Sequence, residues 1–132
     1  MAESIISIFA IVLSFISIYL TVDTNRKQNQ LYVFSEYTKR HQEIILNLYR
    51  DPSNKEAYHR LYFDLCSEEY YLHSKKLISD DIWERWVYGM KLNMKNDLFR
   101  GGWIRDEVYY DKDPEFQKFF EKIIEDSKKN KY

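Results

Sequence analysis

The chain has 132 residues with 20 basic and 21 acidic side chains, and its formal net charge at pH 7 is -1. The basic residues are scattered along the sequence, which excludes the basic face that nucleic-acid-binding proteins present. The single cysteine, Cys66, excludes an intramolecular disulfide and is typical of a reducing compartment.

The first segment, residues 4–22, has no charged side chain, and Glu3 and Asp23 border it. A helix of this length extends about 28 Å, close to the roughly 30 Å hydrocarbon core of a bilayer. A cleaved signal peptide would have a basic start and a small-x-small cleavage site, and neither is present. The sequence therefore predicts a transmembrane helix, with a buried core helix and a removed signal as the alternatives.

Two basic residues, Arg26 and Lys27, follow this segment, and no lysine or arginine precedes it. Because basic residues are retained on the cytoplasmic side, we expect the N-terminus outside and the C-terminal part in the cytoplasm. The predicted location is the inner (cytoplasmic) membrane, which the protein crosses once.

Small or hydroxyl-bearing residues recur along the apolar segment in steps of three and four. This small-residue stripe consists of Ser7, Ala10, Ser14, Ser17 and Thr21. Such spacing keeps the residues on one side of a left-handed supercoil, where small side chains let helices approach closely. The stripe predicts a homo-oligomer interface. The alternative is a plain anchor, because serine in a membrane helix also bonds to its own backbone.

About 110 residues follow the apolar segment, enough for one domain. Glycine and proline are rare, and no hairpin pattern occurs, so we predict an all-α fold. The expected parts are a transmembrane anchor over 1–23, a stalk-like helix over 24–51 and a helical cytoplasmic domain over 52–132. The stalk carries an apolar stripe, and the first helix is expected either to continue into the stalk or to loosen at the polar residues 23–25. The stripe consists of Leu31, Phe34, Tyr37, His41, Ile44, Ile45 and Leu48.

Capping residues predict where the later helices begin. Pro52 ends the stalk, and Ser53 with Glu56 has the spacing of a capping box that starts a helix reaching about residue 73. The apolar residues expected to be buried in this helix are Ala57, Leu61, Leu65, Cys66 and Leu72, with Tyr58, Tyr62 and Phe63 flanking them.

Two further helices are predicted by similar signals. Ser79 is expected to cap a helix carrying Trp83 and Trp86, and Asp113 is expected to cap a last helix that has Pro114 in its first turn. Between them, the paired glycines at 101–102 are expected to interrupt the helix locally.

The blocks "FDLCSEEYYLHSKKLISDDIWERWVYGM" and "GGWIRDEVYYDKDPEFQKFFEKII" share several features with one group of proteins. These features are an aromatic-rich helix, a Lys-Leu-Ile turn, an Ile-Trp-x-x-Trp helix and a Phe-x-x-Phe-Ile helix. The chain resembles uncharacterised small bacterial membrane proteins with one N-terminal span and a helical cytoplasmic domain. The resemblance implies this fold and carries over no active site.

One pair of residues has a spacing that suits a metal site. Glu69 and His73 are four residues apart and share a helical face, but one helix cannot close a site, and no second ligating motif follows. A solvated or hydrogen-bonded pair is the favoured interpretation. Cys66 is expected to be a buried structural thiol. No glycine-rich phosphate loop occurs, so no cofactor is expected.

The three tryptophans, Trp83, Trp86 and Trp103, belong to an aromatic content of 17%. Core packing is the favoured interpretation, and an aromatic surface that binds a protein partner is the alternative.

Two functions remain open. The favoured one is a non-enzymatic membrane protein that acts in the lipid bilayer by self-assembly or by binding a protein partner. An oligomeric, membrane-perturbing effector of bacterial anti-phage defence is one such protein. The alternative is a small membrane-tethered enzyme or metal protein that uses Glu69 and His73.

Overall fold

The computed structural model describes residues 2–129 and is all-α over that range, as predicted. Its five α-helices are α1 (Ala2–Arg50), α2 (Lys55–Ser74), α3 (Asp80–Met94), α4 (Asp97–Asp106) and α5 (Pro114–Lys129). Short 3-10 turns cover Pro52–Asn54 and Glu107–Tyr110. The chain divides into two compact units, Met1–Ser35 and Glu36–Tyr132, which are described in turn.

The first unit is one helix with a long apolar segment, which is exposed within the described residues. Its most apolar window has a mean hydropathy of 2.6, and none of that window is buried. The helix is long and apolar enough to cross a membrane. Of the two alternatives at residues 23–25, continuation of the helix is confirmed and loosening is wrong, because α1 is unbroken there. Asp23 forms ion pairs with Arg26 at 3.3 Å and Lys27 at 3.0 Å, and pairs at these spacings favour helix.

The second unit is built around a cluster of aromatic rings. The Phe63 ring centroid lies 5.4 Å from that of Trp103 and 5.6 Å from that of Phe120, both in edge-to-face geometry. Phe116 packs against Trp103 and Phe120 from α5. Phe63, Phe116 and Phe120 are completely buried, so α2, α4 and α5 share one core.

The prediction of the buried face of α2 is wrong in part. Leu65 and Cys66 are buried as expected, but Leu61 is 50% exposed and Ala57 is exposed. Tyr62 and Phe63, expected at the flanks, are at most 1% exposed. α2 is oriented so that the large rings of Tyr62 and Phe63 face the aromatic core and the smaller side chains of Leu61 and Ala57 do not.

In the stalk stripe, Ile44 is buried, whereas Leu31 is 66% exposed. The residues from Phe34 to Leu48 in that stripe are otherwise half-buried. The apolar stripe is thus confirmed over most of its predicted length but not at Leu31.

Two of the three predicted helix caps are confirmed. The backbone N–H of Ile82 donates to the Ser79 hydroxyl at 3.3 Å, and that of Phe116 donates to the Asp113 carboxylate at 3.3 Å. The capping box at Ser53 is wrong. The Ser53 hydroxyl instead donates to Asp51 at 2.7 Å, and a 3-10 turn precedes α2.

The predicted interruption at the paired glycines is also wrong, because α4 runs through both of them. The break lies just before, where the Asn96 side chain accepts from the N–H of Leu98 at 2.8 Å and caps α4. A Cβ on Gly102 would lie 2.9 Å from Nδ1 of His59. The role of Gly102 is therefore to allow close approach of α4 to α2, and it does not form a turn.

The turn after α2 has the hydrogen bonds of a Schellman motif. Leu77 N–H donates to the Leu72 carbonyl and Lys76 N–H to the His73 carbonyl, both at 2.9 Å. Lys76 has a φ of 58°, a conformation that glycine adopts at lower cost.

Candidate functional site

The small-residue stripe lies on the exposed surface of the first unit. The Ser7 hydroxyl donates to the Glu3 carbonyl at 3.0 Å, and the Ser14 hydroxyl donates to the Ala10 carbonyl at 2.9 Å. These serines satisfy their own donors within the helix, which is the plain-anchor behaviour considered above. Their contribution to an interface would therefore be small size rather than a hydroxyl donor.

The middle of the stripe coincides with a shallow hollow of about 220 Å³. It is lined by the short side chains of Ala10 and Ser14 and by the larger ones of Ile11, Phe15 and Ile18. A hollow bordered by larger side chains is the shape that receives a side chain from a neighbouring helix.

Glu69 and His73 make different contacts within the second unit. The His73 ring stacks on Trp83 with centroids 4.5 Å apart, and its Nε2 lies 3.2 Å from the Asp80 carboxylate. Glu69 is only 5% exposed. Among residues 2–129, no group of three or more His, Cys, Asp or Glu residues is arranged to hold a metal ion.

The Glu69 carboxyl is in an unusual environment for a glutamate. Burial raises its pKa to about 8, and the nearby Glu68 carboxylate acts in the same direction. Arg40 opposes these effects, but its guanidinium is bound to Glu68 at 2.6 Å. At neutral pH Glu69 is therefore mostly protonated, and a protonated carboxyl is a poor metal ligand.

Cys66 lies on the buried face of α2 and is 1% exposed. Burial raises the pKa of its thiol well above the usual value, and Glu69 acts in the same direction. The structure gives this side chain the environment of a structural thiol.

The tryptophans lie mainly inside the second unit. Trp103 is 2% and Trp86 is 9% exposed, and Trp83 is half-buried between Tyr70, His73 and Phe119. Their surroundings are those of core residues, so any apolar binding surface of this unit is formed mainly by other side chains.

A groove of about 420 Å³ is one such surface. The end of α1, the start of α2, the end of α3 and the start of α4 surround it. We call it the basic groove; it is lined by Ile45, Leu48, Tyr49, Pro52, Lys55, His59, Leu92, Asn93, Asn96, Leu98 and Phe99. Tyr49 is 83% and Leu98 61% exposed, so apolar groups face solvent at its rim.

No carboxylate lines the basic groove among the described residues. Lys55 is its one side chain that is charged at neutral pH, since burial lowers the pKa of His59. The sequence did not predict this groove. Its apolar residues come from helix ends far apart in the chain, and only the approach of α4 to α2 brings them together.

A second exposed apolar surface lies on α4 and the turn that follows it. Ile104 is 72% and Val108 61% exposed. A concavity of about 390 Å³ beside Ile104 is lined in part by Glu107, Glu121 and Glu125. We call Ile104, Val108 and these three glutamates the acidic face. The sequence did not predict this surface either.

Comparisons with protein-family models, with curated proteins and with solved structures give no match for this chain. No family is identified, and the structure supports the resemblance seen in the sequence only in its coarse form. The chain is an all-helical protein with one long apolar N-terminal helix and an aromatic-rich helical C-terminal part.

Proposed function

We propose that the chain is a single-pass membrane protein that acts through self-assembly and not through enzymatic catalysis. The observation that carries the proposal is the exposure of the apolar helix in the first unit. No part of its most apolar window is buried in the protein. Bilayer lipid and further copies of the same helix are the surroundings that suit such a surface.

The small-residue stripe is the proposed contact between copies. Its hollow at Ala10 and Ser14 would allow close helix approach, which favours association in lipid through van der Waals packing. Because Ser7 and Ser14 donate within their own helix, packing is the main attraction and hydroxyl bonds add little. An assembly of such spans is also what membrane perturbation by a phage-defence effector would need.

The stripe is tested with two triple variants of the full chain in liposomes. Replacing Ser7, Ser14 and Ser17 by leucine fills the stripe and should lower the oligomer size, read by single-molecule photobleaching. Replacing Ile5, Val12 and Ile16 by leucine changes the opposite side of the helix and should leave the size unchanged. Equal oligomer sizes for both variants would contradict the proposed interface.

The proposed orientation places Arg26 and Lys27 on the cytoplasmic side. When fused after Tyr132, a reporter enzyme that requires the cytoplasm should then be active, and one that requires the periplasm should be inactive. A periplasmic reporter signal would contradict this orientation. Moving the two basic residues to the other end of the apolar segment, ahead of Glu3, should reverse the result.

A further inference from the structure

We propose that the basic groove of one copy binds the acidic face of a second copy, so that the second unit assembles head to tail. This inference rests on the proposed self-assembly and names the contact that the second unit adds. Both surfaces belong to the second unit, and both have apolar side chains that are exposed within the described residues.

The positive charge of the basic groove comes from Lys55. Lys55 has no ion pair within the described residues. The nearest carboxylates in sequence are already engaged. Asp51 accepts hydrogen bonds from Ser53, Asn54 and Tyr58, and Glu56 pairs with Arg105 at 3.5 Å. The Lys55 charge is therefore available to a partner.

The negative charge of the acidic face comes from its three glutamates. Glu107, Glu121 and Glu125 take part in no ion pair within the part of the chain that the structure describes. Two cations line the same concavity, but Arg100 is paired with Asp97. Lys128 alone is left to face three carboxylates, so the surface around Ile104 is net acidic.

Charge determines which pairing of the two surfaces is favourable. Groove against groove would place two copies of Lys55 in one interface, and acidic face against acidic face would bring six carboxylates together. Like charges across an interface are unfavourable, whereas groove against acidic face joins opposite charges around apolar side chains. This contact is heterologous, so it extends to further copies, either as a closed ring or as an open chain.

Cross-linking between differently labelled copies tests the contact. Full-length Tyr49→Cys and Ile104→Cys proteins carry different tags, are reconstituted together in phosphatidylcholine liposomes and are treated with a short bismaleimide. We expect the yield of cross-linked mixed dimers to be well above the yield of cross-linked dimers from either protein alone. The native Cys66 is buried and should not react while the protein is folded.

A matched control replaces the second partner. Tyr88 is 65% exposed on α3 and lies outside both surfaces, so Tyr49→Cys mixed with Tyr88→Cys gives the yield of random collisions. A yield for the Tyr49→Cys and Ile104→Cys mixture no higher than this control would overturn the inference. The groove would then be left to another occupant, such as an acidic segment of a different protein.

Charge reversal gives a second readout. Lys55→Glu should lower the mixed-dimer yield about twofold to fivefold, the range of an exposed ion pair, whereas Lys39→Glu on the exposed side of α1 should not. Unchanged tryptophan fluorescence would show that each variant is folded. Equal yields for the two reversals would contradict the assigned role of Lys55.

The outcomes separate this inference from the proposed function. If filling the small-residue stripe lowers the oligomer size but no specific cross-link forms, the spans assemble and the head-to-tail contact is wrong. If the cross-link forms while both triple variants in the span keep the same size, the second unit assembles and the span interface is wrong.

Discussion

The two units of the chain place similar side chains in opposite surroundings. Phe15 in the first unit is 69% exposed, whereas Phe120 in the second unit is completely buried among Phe63, Trp103 and Phe116. Apart from the small-residue stripe, large apolar residues surround the helix of segment 4–22, so no single protein face could cover them. The second unit has polar residues between its aromatic ones, so its helices can bury one face each.

The difference between the two units is tested most directly by removing one aromatic ring from each. Phe120→Ala should lower the free energy of unfolding of the second unit by about 3–5 kcal/mol, because it leaves a cavity in the aromatic core. Phe15→Ala should leave that value unchanged. All three tryptophans lie in the second unit, so their fluorescence during denaturant unfolding of the full chain measures it selectively. Equal effects of the two substitutions would show that the units do not differ in this way.

The next largest effect concerns pH and the buried Glu69. Its pKa is about 8 in the folded protein and 4.5 ordinarily, so between these values the folded state keeps a proton that the unfolded chain releases. The free energy of unfolding should therefore fall as pH rises, by about 1.4 kcal/mol per unit well below pH 8 and by about 1.6 kcal/mol in all between about pH 6.5 and 8. The exposed segment 2–22 offers no such buried group.

The control for this prediction is a pair of neutral replacements. Glu69→Gln should remove most of the pH dependence, because the residue no longer titrates. Glu84→Gln, on the exposed side of α3, should retain it. The pH window lies above the titration of His41 and His59, whose pKa values are lowered by burial. A slope that persists in Glu69→Gln would assign the effect to another group.

Gly101 and Gly102 are adjacent in α4 but differ in whether a neighbouring side chain covers them. A Cβ at Gly101 meets no atom within 4 Å, and alanine there should stabilise α4 by up to about 1 kcal/mol. A Cβ at Gly102 meets the His59 ring, and alanine there should cost about 1–2 kcal/mol after that gain is included. Thermal unfolding of the two variants gives the comparison, and shifts of the same sign would contradict the close packing at Gly102.

The smallest expected effect is at the turn after α2. Lys76→Gly should raise the free energy of unfolding by about 0.5–1 kcal/mol, since glycine adopts the positive φ without a Cβ penalty. Lys75→Gly, one residue earlier and with a negative φ, should not stabilise and is the matched control. Stabilisation by both, or by neither, would show that φ at Lys76 is not a source of strain.

The sequence predicted those features that depend on neighbours along the chain. The apolar segment, the all-α class and the caps at Ser79 and Asp113 follow from local pattern and composition. The paired glycines were misinterpreted, because their role at Gly102 depends on His59, which is distant in sequence. For the same reason the basic groove could not be predicted, since its lining comes from four helices.

The burial of Cys66 makes the native thiol a reporter of opening events. A thiol reagent can modify it only when the aromatic core transiently exposes α2, so the labelling rate in native conditions measures how often that opening occurs. When reclosing is faster than labelling, the rate gives the free energy of opening, and when it is slower, the rate gives the opening rate itself. The one cysteine of the chain thereby allows the kinetics of the second unit to be followed in the full chain without an engineered reporter residue.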